Sequence, residues 1–415
     1  MTSSRKIYVG LDLQTNQDPI AAGMLKIDRR GVVESAQYAY GKRYLENPLA
    51  FALNPDHLPL SNALFSIPSQ RIRDGGAVPL TFRDALPDAW GRRILEAQHG
   101  RNLDDIDTLL LTNSDRIGAM VFSELLPISP SSFEVNLMPL DEMAQAVKRL
   151  ELSMEITPEM RRLLLRGGSL GGARPKATFI DQDLRWLAKF PAQGDDHDVE
   201  LLEKSTLDLA ARCGIVVSPS KLEKIYRGHA LLSLRFDREG LIGQERRIHY
   251  LSASALLNVP YESSDGSYIE LAQVLRRISS NPAHDLEQLF RRMVLNLLID
   301  NTDDHVKNHG VLYVGNGQYK LSPVFDVVTQ LTNIGYQELA IKPGNHNSEM
   351  GLALEAAPHF GINLETGRGI INSIIAIVDE AFIPIIRQHG GSDQLVRRVS
   401  SCLIKQRELL YRSDT

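Results

Sequence analysis

The residues best suited to chemistry lie in one stretch of the C-terminal half, residues 296–308 (NLLIDNTDDHVKN). Asp303 and Asn308 stand five residues apart, and Lys307 directly precedes the asparagine. Asp326 ends a second short segment, PVFD, which follows a hairpin-like sequence. Carboxylate and amide oxygens suit Mg²⁺, and a nearby lysine suits a polyphosphate. The combination predicts phosphoryl transfer, with Asp303 accepting a hydroxyl proton while Asn308 and Asp326 hold the metal.

A structural turn is the alternative interpretation of this stretch. Short polar side chains bond their own backbone, so Asn-Thr-Asp-Asp is also a good helix stop. Two observations favour chemistry. The spacing of Asp303 and Asn308 equals that of the base and the metal-binding asparagine in the catalytic loop of protein kinases. In addition, apolar residues before the loop follow helical spacing, which predicts a packed helix that presents the polar cluster rigidly: Leu286, Leu289, Phe290, Met293, Val294, Leu297 and Leu298.

A second candidate segment is glycine-rich, residues 166–176 (RGGSLGGARPK). Its glycines allow the backbone to approach a ligand and offer amide N–H groups to phosphate oxygens, while Lys176 adds charge. The segment matches neither the Walker pattern nor the spaced-glycine kinase loop, so a solvent-exposed loop remains an alternative. Residues 167–171 also fit the Gly-x-Ser-x-Gly elbow of hydrolases. That motif requires a preceding strand and a following helix, whereas here a helical pattern precedes and Pro175 follows.

Two predicted strands come next, at residues 177–180 and 185–190. Lys189 lies on the second, where a kinase needs its phosphate-pairing lysine, and Glu203 in the predicted helix 200–212 is a candidate ion-pair partner. A surface lysine and an exposed glutamate are the common alternatives for these two residues.

Taken together, these segments resemble the HipA-type serine/threonine kinases, the toxins of bacterial toxin–antitoxin modules. The resemblance covers nearly the whole chain and rests on LPDAWGR (86–92), SLGGARPK (169–176), RFDR (235–238), NTDDHVKN (301–308) and PVFD (323–326). It implies that Ser169 is autophosphorylated. It also implies a set of ATP-binding residues: Gly171, Gly172, Ala173, Arg174, Pro175, Lys176, Lys189, Leu234, Arg235, Phe236, His305, Lys307, Asn308, Phe325 and Asp326. Leu234 replaces the family's usual glutamate, and some members carry Gln-Glu in place of Arg174-Pro175.

The resemblance also implies ATP and Mg²⁺ as cofactors, a protein substrate that in this family is an aminoacyl-tRNA synthetase, and growth arrest as the consequence. It further implies a helix-turn-helix antitoxin of the HipB type. Contact with DNA is expected only through the antitoxin complex.

Composition is that of an ordinary globular protein, with 415 residues, 43% hydrophobic and 23% charged. The net charge of -5 argues against a free-standing nucleic-acid binder. The cysteines, Cys213 and Cys402, form neither a disulfide framework nor a zinc motif, which favours a reducing cytoplasm. We expect no signal peptide, because the N-terminal apolar run is short, and no later run long enough to cross a membrane.

The expected architecture is α+β: a bilobal kinase-like fold with an extra N-terminal α/β subdomain. The predicted segments are residues 1–128, a HipA-like subdomain; residues 129–251, the small lobe with the phosphate loop and hinge; and residues 252–415, a helical lobe with the catalytic loop. The Pro/Ser-rich stretch 127–132 marks the first boundary.

Two other functional classes remain open at this stage. One is a pseudokinase that acts as a corepressor with its antitoxin; the joint presence of Lys189, Asp303, Asn308 and Asp326 argues against it. The other is a small-molecule phosphotransferase, which Ser169 and the N-terminal subdomain disfavour.

Overall fold

The computed structural model describes residues 2–72, 76–87, 89–100, 102–112, 115–129, 138–152, 154, 157 and 174–411. Strands and helices are both abundant, which confirms the α+β class. The strands are β1 Thr2–Leu11, β2 Ile20–Arg30, β3 Val33–Tyr40, β4 Phe65–Arg71, β5 Met120–Ser123, β6 Lys176–Asp181, β7 Leu184–Lys189, β8 Ser220–Lys224, β9 His229–Leu234, β10 Arg238–Glu239, β11 Arg246–Arg247, β12 Tyr250–Ser252, β13 Gly310–Gly315 and β14 Gln318–Leu321.

The α-helices of the described residues include four long ones in the C-terminal part of the chain. Their bounds are α1 Lys42–Leu45, α2 Leu80–Arg83, α3 Ala89–His99, α4 Asp105–Leu111, α5 Leu140–Glu151, α6 Val199–Arg212, α7 Ala253–Leu257, α8 Tyr268–Ile278, α9 Pro282–Leu298, α10 Met350–Ala356, α11 Leu364–Gln388 and α12 Asp393–Leu410. Short 3-10 turns occupy Val306–Asn308 and Ala357–Phe360.

The chain folds as two compact units. Unit 1 comprises Met1–Ala192, Leu234–Leu251 and Leu312–Gly317, and unit 2 comprises Gln193–Ser233, Ser252–Val311 and Gln318–Thr415. These units do not correspond to the predicted segments one to one, because each is assembled from stretches that are distant in sequence.

Unit 1 contains an antiparallel sheet in the order β4-β3-β2-β1-β5. Alternate residues of its central strands, such as Leu25 and Tyr38, are fully buried, as expected for a sheet with one packed face. The predicted strands 7–13, 22–27 and 32–40 therefore exist, and the first two extend further toward the N-terminus or at both ends. Residues 81–95 are expected to open a helix with Asp88 near its start, and α3 does begin at Ala89, after the separate short helix α2 that ends at Arg83. Pro87 between them accounts for the break, since proline disfavours a helical residue before it.

The strands β6 and β7 form an antiparallel hairpin in unit 1, as predicted. Gln182 and Asp183 make the turn with φ of 50° and 57°, the left-handed geometry of a tight two-residue hairpin. The register places Lys176 opposite Lys189.

Buried arginines and carboxylates link distant parts of unit 1. Asp237 accepts hydrogen bonds from Arg235 (2.7 Å), Arg238 (2.6 Å) and the Gly118 N–H (2.8 Å). Burial alone would raise the pKa of Asp237, but the two guanidinium groups outweigh it and hold the pKa well below its usual value. Arg185 adds a bidentate pair with Glu245, at 2.9 and 2.8 Å.

Unit 2 is mostly helical, and its predicted helices are largely confirmed: α7 and α12 have the predicted bounds, and α6, α8 and α10 agree within one residue at each end. The helix predicted at 365–382 runs on to Gln388. This helix packs against α9, the central helix of the unit. The α9 residues Phe290, Met293 and Val294 are fully buried. The small antiparallel pair β8–β9 belongs to the same unit through residues 220–224 and 229–233, and β8 was not predicted.

One expectation about membranes needs correction. Helix α11, Leu364–Gln388, is long and apolar enough to cross a bilayer by length and composition. However, α11 packs against α6 and α9, and Ile374, Phe382 and Ile386 are completely buried in unit 2. Its apolar character is therefore explained by burial in the helical core.

Candidate active site

The predicted catalytic loop directly follows α9, the central helix of unit 2. The chain leaves the helix at Ile299 and turns at Asp300, which has a left-handed φ of 57°. The Asn301 N–H bonds the carbonyl oxygen of Asn296 at 2.9 Å, so the loop is tied back to the last turn of the helix. Since α9 is packed along most of its length, the loop begins from a rigid base.

Asp300 has a structural role. Its Oδ2 accepts the N–H groups of Thr332 at 2.6 Å and of Asn333 at 2.8 Å, and the side chain is completely buried. The carboxylate thereby fastens the segment after the Pro-Val-Phe-Asp motif to the end of α9.

Asp304 is the centre of a buried polar network beneath the loop. The Tyr268 hydroxyl donates to its Oδ2, and Nε2 of His309 lies 3.0 Å from its Oδ1. The Asn296 amide in turn donates to the Tyr268 oxygen at 3.0 Å. Burial by itself raises the pKa of Asp304, but the His309 imidazole and the two hydrogen bonds prevail and lower it. Asp304 is therefore an ionised anchor with no access to a substrate.

Asp303 has the opposite environment. Its side chain reaches solvent, and none of the described residues donates a hydrogen bond to its carboxylate. Partial desolvation raises its pKa, the nearby His305 opposes this, and the charges of Asp326 and Glu338 raise it further. Of the two adjacent aspartates, Asp303 is thus the one able to accept a proton from a bound hydroxyl.

Asn308 and Asp326 both lie near Asp303. The Asn308 side-chain amide donates to the main-chain oxygen of Asp303 at 3.1 Å, and its own N–H bonds the His305 carbonyl at 2.9 Å. Asp326 has a left-handed φ of 56°, a conformation that is costly for a residue with a Cβ. Its charge is close enough to Asp303 to raise the pKa of that carboxyl. Unit 2 therefore brings together the predicted base and the two predicted metal ligands.

The donor atoms fit Mg²⁺. Because the Asn308 nitrogen is occupied by the Asp303 carbonyl, the amide oxygen is the atom left for a cation. Asp326 adds a carboxylate, and Mg²⁺ typically takes one or two carboxylates together with phosphate oxygens and waters. Among the described residues, no group of three His, Cys, Asp or Glu side chains could hold a metal by itself.

In unit 1, the predicted phosphate-contacting lysines are neighbours. Lys176 and Lys189 are directly opposite each other across the β6–β7 pair, so both side chains leave the same face of the hairpin. Both are buried, with 2% and 6% exposure. The hairpin therefore presents two lysines at opposite positions on one face.

Comparison with known families decides the assignment. The HipA-like C-terminal domain family matches residues 168–382, and the HipA N-terminal domain family matches residues 13–123. The first match alone spans more than half of the chain. This chain belongs to the HipA family.

Individual relatives of this HipA-family chain include two bacterial proteins. "Putative kinase Y4mE" of Sinorhizobium fredii is 27% identical over 355 residues, which covers 77% of each chain. A protein of Haemophilus influenzae named as a kinase in the same manner is 22% identical over 260 residues, covering 55% of this chain and 75% of its own.

A solved structure extends the likeness to the fold. The complex of HipA, HipB and operator DNA from the Shewanella oneidensis toxin–antitoxin system contains a chain with a TM-score of 0.69 and 16% identity. The match covers 96% of this chain and 95% of that one. The expected HipA-type, kinase-like α+β fold is thus confirmed along almost the whole length.

The remaining predicted residues of this HipA-family chain are distributed as follows. Ser169 and Gly171 to Ala173 lie outside the described residues. Arg174 is half-buried and Pro175 buried, both at the start of the β6–β7 hairpin. Leu234 and Phe236 flank Arg235 in unit 1, where the guanidinium group of Arg235 is bonded to Asp237 and its N–H donates to the Arg185 carbonyl at 3.1 Å.

Other predicted contacts occur in unit 2. Phe325 is half-buried next to Asp326. Nδ1 of His305 accepts the Lys307 N–H at 3.2 Å, so these two residues hold each other within the loop. Glu203, the candidate partner of Lys189, is buried at 4% exposure. Since the two residues belong to different units, their pairing stays a prediction.

Sequence reasoning missed the groups that hold the site. Tyr268 lies in a helix far upstream of Asp304, and no spacing connects them. Glu338 is bonded through its N–H to the carbonyl of Thr302 at 3.1 Å, and its charge reaches Asp303. Tyr261, whose ring faces Lys307, lies in a loop with no recognised motif. The helical start at Ser267 was the only sequence signal near any of them.

Proposed function

We propose that this HipA-family protein is an ATP- and Mg²⁺-dependent serine/threonine-protein kinase that acts in the cytoplasm as the toxin of a toxin–antitoxin module. The observation that carries the proposal is the arrangement of Asp303, Asn308 and Asp326 in unit 2: one accessible carboxylate beside two oxygen donors, held by a buried network. Family membership and the names of the relatives support a kinase.

In the proposed reaction, Asp303 orients the hydroxyl of the substrate and accepts its proton as the hydroxyl oxygen bonds to the γ-phosphorus of ATP, while the bond from that phosphorus to the β–γ bridging oxygen breaks and ADP leaves. A general base can do this without a large shift in its pKa, because catalysis of phosphoryl transfer depends mainly on positioning and charge neutralisation. The Asn308 amide keeps the carbonyl of Asp303 fixed, so the carboxylate is presented in one orientation.

Asn308 and Asp326 would hold the metal. Bound Mg²⁺ would neutralise charge on the phosphates. In unit 1, Lys176 and Lys189 are proposed as phosphate contacts, and their opposite positions on the hairpin favour one shared polyanion over two separate ligands. Residues 171–173 would cover the phosphates, as the family resemblance implies.

We further propose a HipB-like antitoxin as partner, with DNA bound only through that complex, an aminoacyl-tRNA synthetase as substrate, and autophosphorylation at Ser169. The HipB-like antitoxin is supported by the HipB chain in the Shewanella oneidensis complex. The others rest on the family resemblance alone.

The decisive experiment is phosphate incorporation from ATP and Mg²⁺, mapped by peptide mass spectrometry and compared with release of phosphorylated metabolites. Loss of the base in Asp303→Ala should slow transfer by roughly 10²–10⁴-fold. The matched control is Asp379→Ala, which removes an exposed carboxylate paired with Arg407 at 2.7 Å and should leave the rate unchanged.

Phosphate on a protein seryl or threonyl group, lost in Asp303→Ala, would support the proposal. Phosphate on a metabolite would replace it by a small-molecule phosphotransferase. Bound ATP without any transfer would favour a pseudokinase that serves as a corepressor. For Ser169, the variant Ser169→Ala should still bind ATP but remain toxic for longer, and an unchanged time course would count against that site.

A further inference from the structure

An aromatic residue that no motif marks lies against the catalytic loop. Lys307 Nζ stands over the ring of Tyr261, 5.1 Å from its centroid. The imidazole of His305 faces the same ring at 5.8 Å, tilted by 58°. Tyr261 is 46% exposed, so part of its surface remains open to solvent while the rest touches two residues of the loop.

The segment that carries Tyr261 is fixed to the loop independently of that contact. It connects α7 to α8, and at its beginning the Ser254 hydroxyl donates to the Val259 carbonyl at 2.6 Å. Near its end, Gly266 has a φ of 96°, and a Cβ at this position would meet Val306 at 3.1 Å. The close approach requires a glycine, and it places the backbone of the segment directly against the catalytic loop.

The ring contact limits the positions of two side chains of the loop. Lysine carries its charge on a flexible four-carbon stem, and an aromatic face attracts the ammonium group and limits where it can lie. His305 is limited in turn, because its Nδ1 is occupied by the Lys307 N–H at 3.2 Å. Lys307, His305 and Tyr261 therefore form one connected group beside Asp303.

We propose that Tyr261 is a positioning residue, whose ring holds the Lys307 ammonium group and the His305 imidazole toward the nucleotide phosphates. This inference rests on the proposed function and adds to it a residue from outside every motif. The ring is the active part: none of the described residues bonds the Tyr261 hydroxyl, so the hydroxyl has no partner to position.

The kinetic test compares Tyr261→Phe, Tyr261→Leu and the wild type. Leucine removes the π-face, and kcat/KM for ATP should fall by about 3- to 30-fold, the range that a cation–π contact supports. Phenylalanine keeps the ring and should restore the wild-type value to within about twofold. Tyr411→Leu is the matched control, since it removes an equally exposed tyrosine (53%) at the end of α12 and should change nothing.

A second readout does not depend on activity. Lysines are converted to ¹³C-dimethyl-lysines, which keep their charge, and the Lys307 methyl resonance is assigned by its disappearance in Lys307→Arg. In the wild type the ring current of Tyr261 should shift this resonance upfield. The shift should persist in Tyr261→Phe and vanish in Tyr261→Leu, while Tyr411→Leu retains it.

The inference would be overturned if Tyr261→Leu kept the wild-type kcat/KM, or if this substitution left the Lys307 resonance unchanged. The proposed function would still hold in that case, provided that the wild type is active. Failure of the proposed function has a different signature: the wild type itself would transfer no phosphate, although the methyl shift, recorded without nucleotide, would still be present.

Discussion

The side-chain amide of Asn308 donates a hydrogen bond to the main-chain carbonyl oxygen of Asp303 at 3.1 Å. This contact joins the proposed metal ligand to the proposed base within one loop. The amide nitrogen of Asn308 is used in this hydrogen bond within the loop. The amide oxygen therefore remains to coordinate a cation.

Replacement of Asn308 should therefore disturb metal use more than nucleotide binding. In Asn308→Ala we expect the Mg²⁺ concentration for half-maximal phosphate transfer to rise by about 10- to 100-fold, the usual cost of losing a group that holds or orients a metal ligand. Titration of activity with Mg²⁺ at saturating ATP measures this. Asn372→Ala, on the exposed face of α11, is the control; an unchanged Mg²⁺ requirement in Asn308→Ala would remove Asn308 from the metal site.

Two fully buried tyrosines offer a matched pair for the network under the loop. The Tyr268 hydroxyl donates to Asp304 and accepts from Asn296, whereas none of the described residues bonds the hydroxyl of Tyr38 in unit 1. Tyr268→Phe should lower the free energy of unfolding by about 1–3 kcal/mol, since it leaves buried polar groups unpaired. Tyr38→Phe should be neutral or stabilising for the same reason.

Thermal unfolding followed by circular dichroism, together with hydrogen exchange of peptides from each unit, separates the two effects. In Tyr268→Phe, amide hydrogen exchange should become faster in residues 296–309. In Tyr38→Phe, hydrogen exchange should not become faster in any peptide. Equal losses of stability in both variants would mean that packing, and not the hydrogen bonds of Asp304, governs the effect.

The paired lysines of unit 1 predict a coupled response to nucleotide. Lys176→Met and Lys189→Met should each weaken ATP binding by about 10- to 100-fold, the range for a hydrogen bond to a charged group. The double variant should lose less than the product of the two factors, because neighbours that share one ligand are not independent. Isothermal calorimetry with ATP measures all three affinities.

Lys221→Met is the control for this cycle. Lys221 lies on β8 in unit 2 and pairs with Glu223 at 3.0 Å, so ATP affinity should not change. Strictly multiplicative losses in the double variant would indicate that Lys176 and Lys189 act at separate places.

The stability of unit 1 should depend on pH through His249. This imidazole is buried, its Nε2–H donates to the Leu53 carbonyl at 2.9 Å, and burial lowers its pKa to about 4. Between pH 6.5 and pH 4 the unfolded chain therefore binds a proton that the folded chain does not. The contribution of His249 to the free energy of unfolding is therefore fully present above pH 6.5. The free energy of unfolding should fall by roughly 3 kcal/mol as the pH decreases to 4.

Tryptophan fluorescence is a suitable probe, since both tryptophans, Trp90 and Trp186, belong to unit 1. Urea unfolding midpoints recorded across this pH range should shift less in His249→Gln, which has no titrating group and keeps a donor for Leu53. The same pH dependence in the variant and the wild type would assign the effect to other groups.

Local chemistry let the sequence predict much of this protein. The helical periodicity before residue 300, the spacing of Asp303, Asn308 and Asp326, and the strand pair that carries Lys189 all depend on residues near one another in the chain. Each is set by backbone geometry and side-chain type, so the elements and the site loop were predictable, as was the HipA-type fold through its motifs.

Tertiary structure decided the rest. The spacing to Asn308 favoured Asp303 over Asp304 as the base, but the spacing does not show that Asp303 is an accessible carboxylate and that Asp304 is an anchor bonded by Tyr268 and His309. Likewise, Tyr261 meets Lys307 only because Gly266 brings its loop against the catalytic loop. Such roles depend on which side chains are desolvated and paired across long sequence separations, and these relationships exist only once the chain has folded.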